Sequence, residues 1–547
     1  MSLAAVLVAA GAVRAAEPAP IRFDDVAEEW GLDFHHHHGG SGERYMVETV
    51  VGGVVLFDYD GDGDVDVFFV DGGELPGYTG PEPRSRLLRN DGGGRFADVT
   101  AGSGIDGPSY GAGGAAGDVD GDGDPDLYLT AFGENRLYVN RGDGTFVDRT
   151  EAAGVGDPSW SSSATFFDPD RDGDLDLYVV NYVDFTLDTH KFCGDEQANI
   201  QGYCHPEAYD GIPDRFYRNR GDGTFEDATR QAGLAASDGA GLGVVAGDLD
   251  DDGWPDVYVA NDADPNFLFR NRGDGTFEDV SLLSGTAHSD RGRAEGGMGV
   301  DLGDADGDGL LDLVVTNFEL ESNTIYRNAG GGLFTDVRYA ARLAEPSLHK
   351  LAFGVELTDL DHDGDLDLAV ANGHILDNAD MFNARSRYAQ PNQILENLGN
   401  GRFREVPDHG MDAVRASRGL AAGDLDGDGD EDLVIVNSND VAEVYRNLAG
   451  SAAGGWLLVD LRQDGSDRRA VGARVELETG DGGEGAPPRR QVREVRTASS
   501  YASQSPLTVH FGVAGAERIE RLTIRWPDGA RRALIDLPVR RRIVVVR

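Results

Sequence analysis

An all-β fold, a seven-bladed calcium-binding β-propeller followed by a small C-terminal β domain, is predicted by three observations. A nine-residue acidic frame, Asp-x-Asp-x-Asp-Gly-x-x-Asp, occurs seven times in 547 residues. Between its copies a second signature recurs, an Asn followed by a Gly-rich turn and Phe-x-Asp. That second signature is missing after the last frame, and a matching strand stands ahead of the first. Long self-similar periods of this kind mark repeat architectures, in which each unit buries its apolar faces against its neighbours.

The frame supplies Asp58, Asp60, Asp62 and Asp66, then Asp118, Asp120, Asp122 and Asp126, then Asp168, Asp170, Asp172 and Asp176. It continues with Asp248, Asp250, Asp252 and Asp256, with Asp304, Asp306, Asp308 and Asp312, with Asp359, Asp361, Asp363 and Asp367, and with Asp424, Asp426, Asp428 and Asp432. Four carboxylates this close repel one another unless a cation neutralises them. A hard divalent ion taking oxygen ligands in a flexible shell fits, which favours Ca2+ over the stiffer, more hydrated Mg2+. Up to seven calcium ions are expected, with Asp at position 9 closing each shell. Gly at position 6 permits the sharp turn. Position 7 varies (Asp64, Asp124, Asp174, Trp254, Leu310, Asp365, Asp430), as a backbone-carbonyl ligand allows. An EF-hand needs a bidentate Glu at position 12. Here that position holds Phe69, Leu129, Val179, Val259, Val315, Val370 and Ile435, so each ion is expected between two strands, not two helices.

Each unit reads as four short strands. In the fourth, Gly241–Ala246 leads into the acidic loop, Asp256–Ala260 leaves it, and Asn266–Arg270 and Thr276–Val280 flank the Gly-Asp-Gly hairpin turn. Four antiparallel strands in roughly 50 residues is a propeller blade. The fourth strand follows the first six frames, at Phe96, Phe146, Phe225, Phe277, Phe334 and Phe403. The seventh is expected from Ile21–Val26, whose pairing with the last blade would close the ring and remove the open sheet edge.

This order sorts the connections. Acidic loops and hairpin turns fall on one face. The long insertions Asp71–Arg84, Asn181–Asp214 and Asn372–Gln393, together with His35–His38, fall on the other. Long loops on a rigid scaffold are a usual place for binding. The histidine run, with Glu48 nearby in sequence, offers transition-metal ligands or a solvated loop. His374 reads as a structural or surface residue, and His510 as an outward-facing strand position. Trp160, Tyr182, Tyr203, Tyr209 and Tyr388 suit either a glycan platform or the packing of the insertions.

The net charge of −50 argues against nucleic acid as a partner. The apolar run Leu3–Val13 with Ala15 and Ala16 reads as a signal peptide over residues 1–16, without the usual basic residue ahead of it. No later stretch is long and apolar enough for a membrane helix. Export to the periplasm or the extracellular space makes a Cys193–Cys204 disulfide the default, contributing roughly 2–3 kcal/mol in the chain-entropy model. The propeller is assigned residues 21–450. After a Gly-rich break, residues 455–547 turn Arg-rich, with short strands expected at Trp456–Leu461, Ala473–Leu477, Gln491–Thr497, Leu507–Phe511, Arg521–Trp526 and Arg542–Val546.

These residues carry a family resemblance. The repeats resemble FG-GAP or VCBS repeats. Trp456–Val459, Arg469–Val475, Gln491–Val495, Tyr501–Gln504, Val509–Gly512 and Trp526–Gly529 resemble the ASPIC/UnbV domain of the cartilage acidic protein-like family. Phe34-His35, Gly52–Val54 and Asn372–His374 are similar to that family too. The resemblance implies a secreted, calcium-binding, non-enzymatic role in adhesion or matrix interaction. Two cysteines are too few for the EGF-like module of some animal members, so their partners are not carried over.

Neither a nucleophile elbow, a Walker loop, HExxH nor CxxCH is present. Two functions are compatible with the residues. One is a binding module whose insertion face meets an extracellular glycan or protein. The other is a calcium-dependent polysaccharide lyase or hydrolase working from that face, with His374 or the histidine run in acid–base roles.

Overall fold

The computed structural model describes residues 21–195, 197, 200–450, 454–462, 469–480 and 489–547. The expected leader lies outside them. Seven four-stranded antiparallel sheets form the body. The fourth runs Gly241–Gly247, Asp256–Asn261, Phe267–Asn271 and Phe277–Asp279. The seventh takes Ser417–Gly423, Asp432–Asn437 and Glu443–Asn447, and its outer strand is the N-terminal Phe23–Asp25, with Phe23 opposite Asn447. Inner strands of consecutive sheets are neighbours all the way round, the first beside the seventh. The seven sheets therefore form a β-propeller whose last blade takes its outer strand from the N-terminal segment.

Apolar positions alternate along the middle strands and fill the space between sheets. One such cluster packs Phe167, Tyr178, Val180, Phe216, Val257, Val259, Phe269 and Phe277 between the third and fourth blades. The inner strands are short in side chain because something runs beside them. A Cβ on Gly53 would lie 2.0 Å from the Ala502 carbonyl oxygen, and one on Gly113 2.5 Å from it.

That neighbour belongs to the C-terminal domain, which has two sheets around Leu457, Val475, Phe511, Ile524 and Trp526. Its strands match the expected ones with one addition, Arg531–Pro538, an exposed hairpin partner of Arg518–Arg525. Only Leu534 and Leu537 of this strand pack on the core, three residues apart, so it lacks the period-two alternation that would reveal it.

The domain sits on the acidic-loop end of the ring and sends residues 497–505 down its axis. Inner strands leave backbone groups unpaired at their free edge, and buried ones need partners. This segment provides them. Val300 N–H donates to the Ser500 carbonyl (2.9 Å), Val355 N–H to Ser500 Oγ (2.9 Å), and Ala116 N–H to Gln504 Oε1 (2.7 Å). Phe166 N–H donates to Thr497 Oγ1 (2.8 Å) and Ala422 N–H to Ser505 Oγ (3.0 Å). At the far end Tyr501 Oη donates to the Val50 carbonyl.

Candidate functional site

Two places concentrate chemistry: the seven acidic loops and the face opposite them. In each loop the N–H at position 7 donates to the position-5 carboxylate at 2.8–3.0 Å, curling the chain around its own side chains. Position-6 glycines take φ of 91–104°, a region L side chains avoid. The curl brings Asp58, Asp60 and Asp62 together, with one oxygen from each inside 4.8 Å. The same holds for Asp118, Asp120 and Asp122; Asp168, Asp170 and Asp172; Asp248, Asp250 and Asp252; and Asp304, Asp306 and Asp308.

Position 9 stands apart. Besides its expected place in the ion's shell, its two oxygens have partners within the blade, and a carboxylate oxygen that accepts one N–H keeps a lone pair for a cation. In every loop one of its oxygens accepts from the N–H of the Asn that begins the hairpin signature, at 2.7–2.9 Å. In six loops the other accepts from the N–H at position 2. In the third loop position 2 is Pro169, which has no N–H, and Asp176 Oδ2 is buried without a partner. Position 9 is thus a tie between strands.

Burial raises these carboxyls: Asp66, Asp176 and Asp312 to about 8. At position 1, burial and then the neighbouring carboxylates push Asp168 and Asp424 up to about 7. Position-1 oxygens of Asp58, Asp168, Asp304 and Asp359 are buried with no hydrogen-bond partner. Unsatisfied buried carboxylate oxygens beside two further carboxylates are a donor set that suits a hard cation.

Arginines of the C-terminal domain reach the same end. Arg469 meets Asp58 at 3.1 Å, Arg474 meets Asp251 at 3.3 Å, Arg489 meets Asp365 at 2.6 Å, and Arg525 pairs with Asp248. His510, expected to face outward, is buried here, its Nε2 3.1 Å from the Gly429 carbonyl oxygen. The alternation along its strand was sound; the outward side is simply covered by the ring.

On the opposite face the insertions meet one another. Arg44 pairs with Asp377, Tyr203 Oη donates to Glu48 (2.7 Å), and Asn378 donates to the Gln201 carbonyl (2.9 Å). Cys193 and Cys204 are joined in a disulfide. Trp160, Tyr182 and Tyr209 are packed in the core beneath the insertions, which settles their use as structural. Tyr203 and Tyr388 line a cavity of 190 Å³ with His38, Arg44, Glu48, Asp377 and Arg418. The histidines have separate partners: His37 Nδ1 lies 3.1 Å from Asp71, His36 Nδ1 accepts from Asn439 N–H, and His38 Nδ1 accepts from Gly40 N–H, while the His35 and His37 rings stack with centroids 4.6 Å apart. His374 is buried, its Nδ1 accepting from Leu376 N–H and its ring against Phe318, and burial lowers its pKa to about 4.

The FG-GAP-like repeat model matches residues 58–129, 118–179, 208–259, 248–315, 304–370 and 378–435, more than half the chain. The chain belongs to the FG-GAP-like repeat family. The ASPIC and UnbV model matches residues 463–547 of this FG-GAP-like protein. It is 27% identical over 317 residues to human cartilage acidic protein 1, covering 57% of this chain and 44% of that one. The Xenopus tropicalis cartilage acidic protein 1 is 28% identical over 324 residues, with 57% and 45% covered. The chain thus spans a little under half the length of these curated relatives. Among solved structures, an Agrocybe aegerita lectin specific for non-reducing terminal N-acetylglucosamine aligns at TM-score 0.36 and 15% identity, over 71% of this chain and 85% of that one. A rhamnogalacturonan lyase aligns at 0.29 and 14%, over 79% and 91%.

What the sequence signals without explaining is the Asn of each FG-GAP-like unit. Its Nδ2 donates to the position-2 carbonyl of the preceding blade's loop: Asn140 to Tyr59, Asn219 to Val119, Asn271 to Pro169, Asn328 to Leu249, Asn397 to Ala305 and Asn447 to Leu360, with Asn90 to Leu425 completing the circle. All seven lie at 2.7–2.9 Å. The distance from frame to Asn varies, from 14 residues at Asn140 to 43 at Asn219; the signal that this bond leaves in sequence is the recurrence of Asn at the head of every hairpin signature.

Proposed function

We propose that this FG-GAP-like protein is a secreted calcium-binding propeller whose insertion face binds an extracellular glycan or protein without chemical turnover. One observation carries the reading. The acidic-loop end is partly covered by the C-terminal domain, whereas two of the insertions and the segment His38–Glu48 converge at the other end around a cavity lined by charged and aromatic side chains. The disulfide, the lack of any described helix long and apolar enough to cross a membrane, and relatives named for cartilage support an extracellular setting.

Calcium is assigned to the carboxylates at positions 1, 3, 5 and 9, with position 9 also tying the loop to its blade. The ion's charge would relieve the repulsion that burial intensifies in the loops. Elemental analysis of protein equilibrated in millimolar calcium should find several ions per chain; well under one per blade would remove this part of the reading. The binding role is tested by presenting the full chain, in calcium, to an array of glycans and matrix proteins. Retention of a defined ligand set supports it, and retention of none overturns it.

An enzymatic reading has one foothold, the Glu48–Tyr203 pair. Burial raises the Glu48 pKa, and a carboxyl held beside a tyrosine hydroxyl in a cavity is the raw material of acid–base chemistry. New reducing ends or unsaturated products from a polysaccharide panel, lost in Glu48→Gln, would replace the binding reading with this one.

A further inference from the structure

Arg418 is the least expected residue in the ring. It is wholly buried, yet the sequence around it is an inner strand of small residues. A buried ion without a partner costs several kcal/mol, and this chain has 98 acidic residues from which one could be drawn. Among the described residues no carboxylate lies within ion-pair distance of it. Carbonyl oxygens surround it instead: Nε donates to Thr49 (2.7 Å), Nη1 to Ser417 (2.9 Å) and Gly373 (3.3 Å), and Nη2 to His374 (3.2 Å). The Phe353 ring centroid is 4.2 Å from its guanidinium carbon. Guanidinium has five N–H donors. Four are taken by the carbonyls, and the fifth, on Nη2, has no acceptor among the described residues.

Those contacts fix the orientation of the fork without cancelling its charge. The side chain stands in the wall of the 190 Å³ cavity on the insertion face with almost no accessible surface of its own, so its charge, more than its surface, is what the cavity offers. A single water needs roughly 10–15 Å³ by the same measure, so this space is on the scale of a sugar ring. The rest of the lining is mixed: half-buried Tyr203 and Tyr388, the imidazole of His38, the Arg44–Asp377 pair at the mouth, and Glu48, whose oxygens accept from Tyr203 Oη and Tyr45 N–H. Aromatic faces beside a few convergent polar groups suit a pyranose better than a peptide side chain, which would leave the tyrosines unused.

We infer that this cavity receives a carboxylated sugar, a uronic acid residue of an acidic saccharide, whose carboxylate is drawn to the uncompensated Arg418 and whose ring lies among Tyr203, Tyr388 and His38. The inference rests on the binding role proposed for the insertion face and names its ligand class. Charge-assisted pairing of a guanidinium with a carboxylate is strong in a place with little water, and it discriminates against neutral sugars because the buried cation is left alone when they bind.

The full chain in calcium is titrated calorimetrically with digalacturonate, its dimethyl ester, diglucuronate, cellobiose and oligoglutamate. Binding of either diuronate with at least a ten-fold loss for the ester is the expected result. Arg418→Lys keeps the charge and loses the fork, and should weaken diuronate binding ten-fold or more; the carbonyl bonds it gives up also lower the melting midpoint, so affinity is read well below that midpoint. Should Arg418→Lys fail to fold, Tyr388→Ala on the half-buried wall serves in its place, and wild-type diuronate affinity in that variant overturns the inference. Equal binding of acid and ester, equal binding of oligoglutamate, or no diuronate binding also overturns it. The array described above separates the two failures. Neutral glycans or proteins retained there while diuronates fail leave the binding role standing; nothing retained removes both.

Discussion

The two ends of the ring differ in how they are built. The loop end is one device made seven times, and its copies use the same bonds at the same positions, apart from the one that Pro169 removes in the third loop. The insertion end is made once, from segments of unlike length that meet only through contacts such as Arg44 with Asp377 and Tyr203 with Glu48. Repetition at one end gives a rigid frame whose strength is a sum over units. At the other end a single arrangement is free to differ from its relatives without disturbing the frame. The comparison predicts that the loop end governs stability and the insertion end governs recognition.

Calcium removal is the largest test. A ligand bound only by the native state adds RT ln(1 + [L]/Kd), about 1.4 kcal/mol per site at ten-fold excess over Kd. Three or four occupied loops then supply about 5 kcal/mol, comparable with the whole stability of an ordinary domain. Thermal melts with EDTA should fall many degrees below those in calcium, and magnesium should restore little. An unchanged midpoint would mean that the C-terminal arginines alone neutralise the loops.

Acidity gives the next effect, and its sign reverses with the ion. In the chelated protein Asp66, Asp176 and Asp312 are raised by burial to about 8, and Asp168 and Asp424 to about 7. A carboxyl raised above its unfolded value of about 3.9 holds its proton more tightly when folded. Its contribution is complete below that value and is lost as pH climbs through the folded pKa. The chelated protein should therefore melt lower at pH 8 than at pH 5.5. In calcium the slope should turn the other way, since the ion competes with protons for the same oxygens. Melting curves at both pH values, with and without the ion, measure the crossover; parallel slopes would sink the assignment of ions to these loops.

Asn271→Leu and Asp250→Asn separate frame from ion site within one blade. Asn271 donates to Pro169 and Pro255 carbonyls, and each buried acceptor left bare costs about 1–3 kcal/mol. Asn271→Leu should lose about 2–4 kcal/mol whether or not calcium is present. Asp250→Asn should cost about 1 kcal/mol in calcium and nothing in EDTA, where it removes a like charge from the loop. Denaturant titration of both variants in both buffers gives four numbers; a calcium-dependent Asn271 variant would show that tie and ion act as one unit.

How far the sequence revealed this molecule follows the same divide. Repetition exposed the loops, the four-strand units and the pairing of Phe23–Asp25 with the last blade, because any constraint applied seven times rises above chance. The same repetition hid a second role. Asp at position 9 is as invariant as the other three, so its use as a strand tie could not be told from a ligand's until its partners were seen. Arg418 gave no signal at all: it is one arginine in one strand, and its meaning lies in which groups surround it. The Tyr501–Gln504 segment was visible as a family feature but not as the plug of the channel, since the partners of Gln504 lie hundreds of residues away.

The smallest effect probes whether the two ends are independent. Replacing Cys193 and Cys204 together by serine removes a cross-link worth roughly 2–3 kcal/mol in the chain-entropy model, but one that closes a loop within a single insertion. Cys204 lies in the packed layer beneath the insertions, and the residues beside it, Gln201 and Tyr203, hold the contacts to Glu43 and Glu48. Local opening there has its own free energy, separate from that of the ring. The double variant should melt within about 2 °C of the parent, because the lost stability is confined to a segment that the blades do not need. Limited proteolysis should nonetheless cut the insertion many times faster, and the cavity lined by Tyr203 should bind its ligand less well. A large fall in the ring's melting midpoint would show the insertions acting as a clamp on the frame, and stability could no longer be credited to the loop end alone.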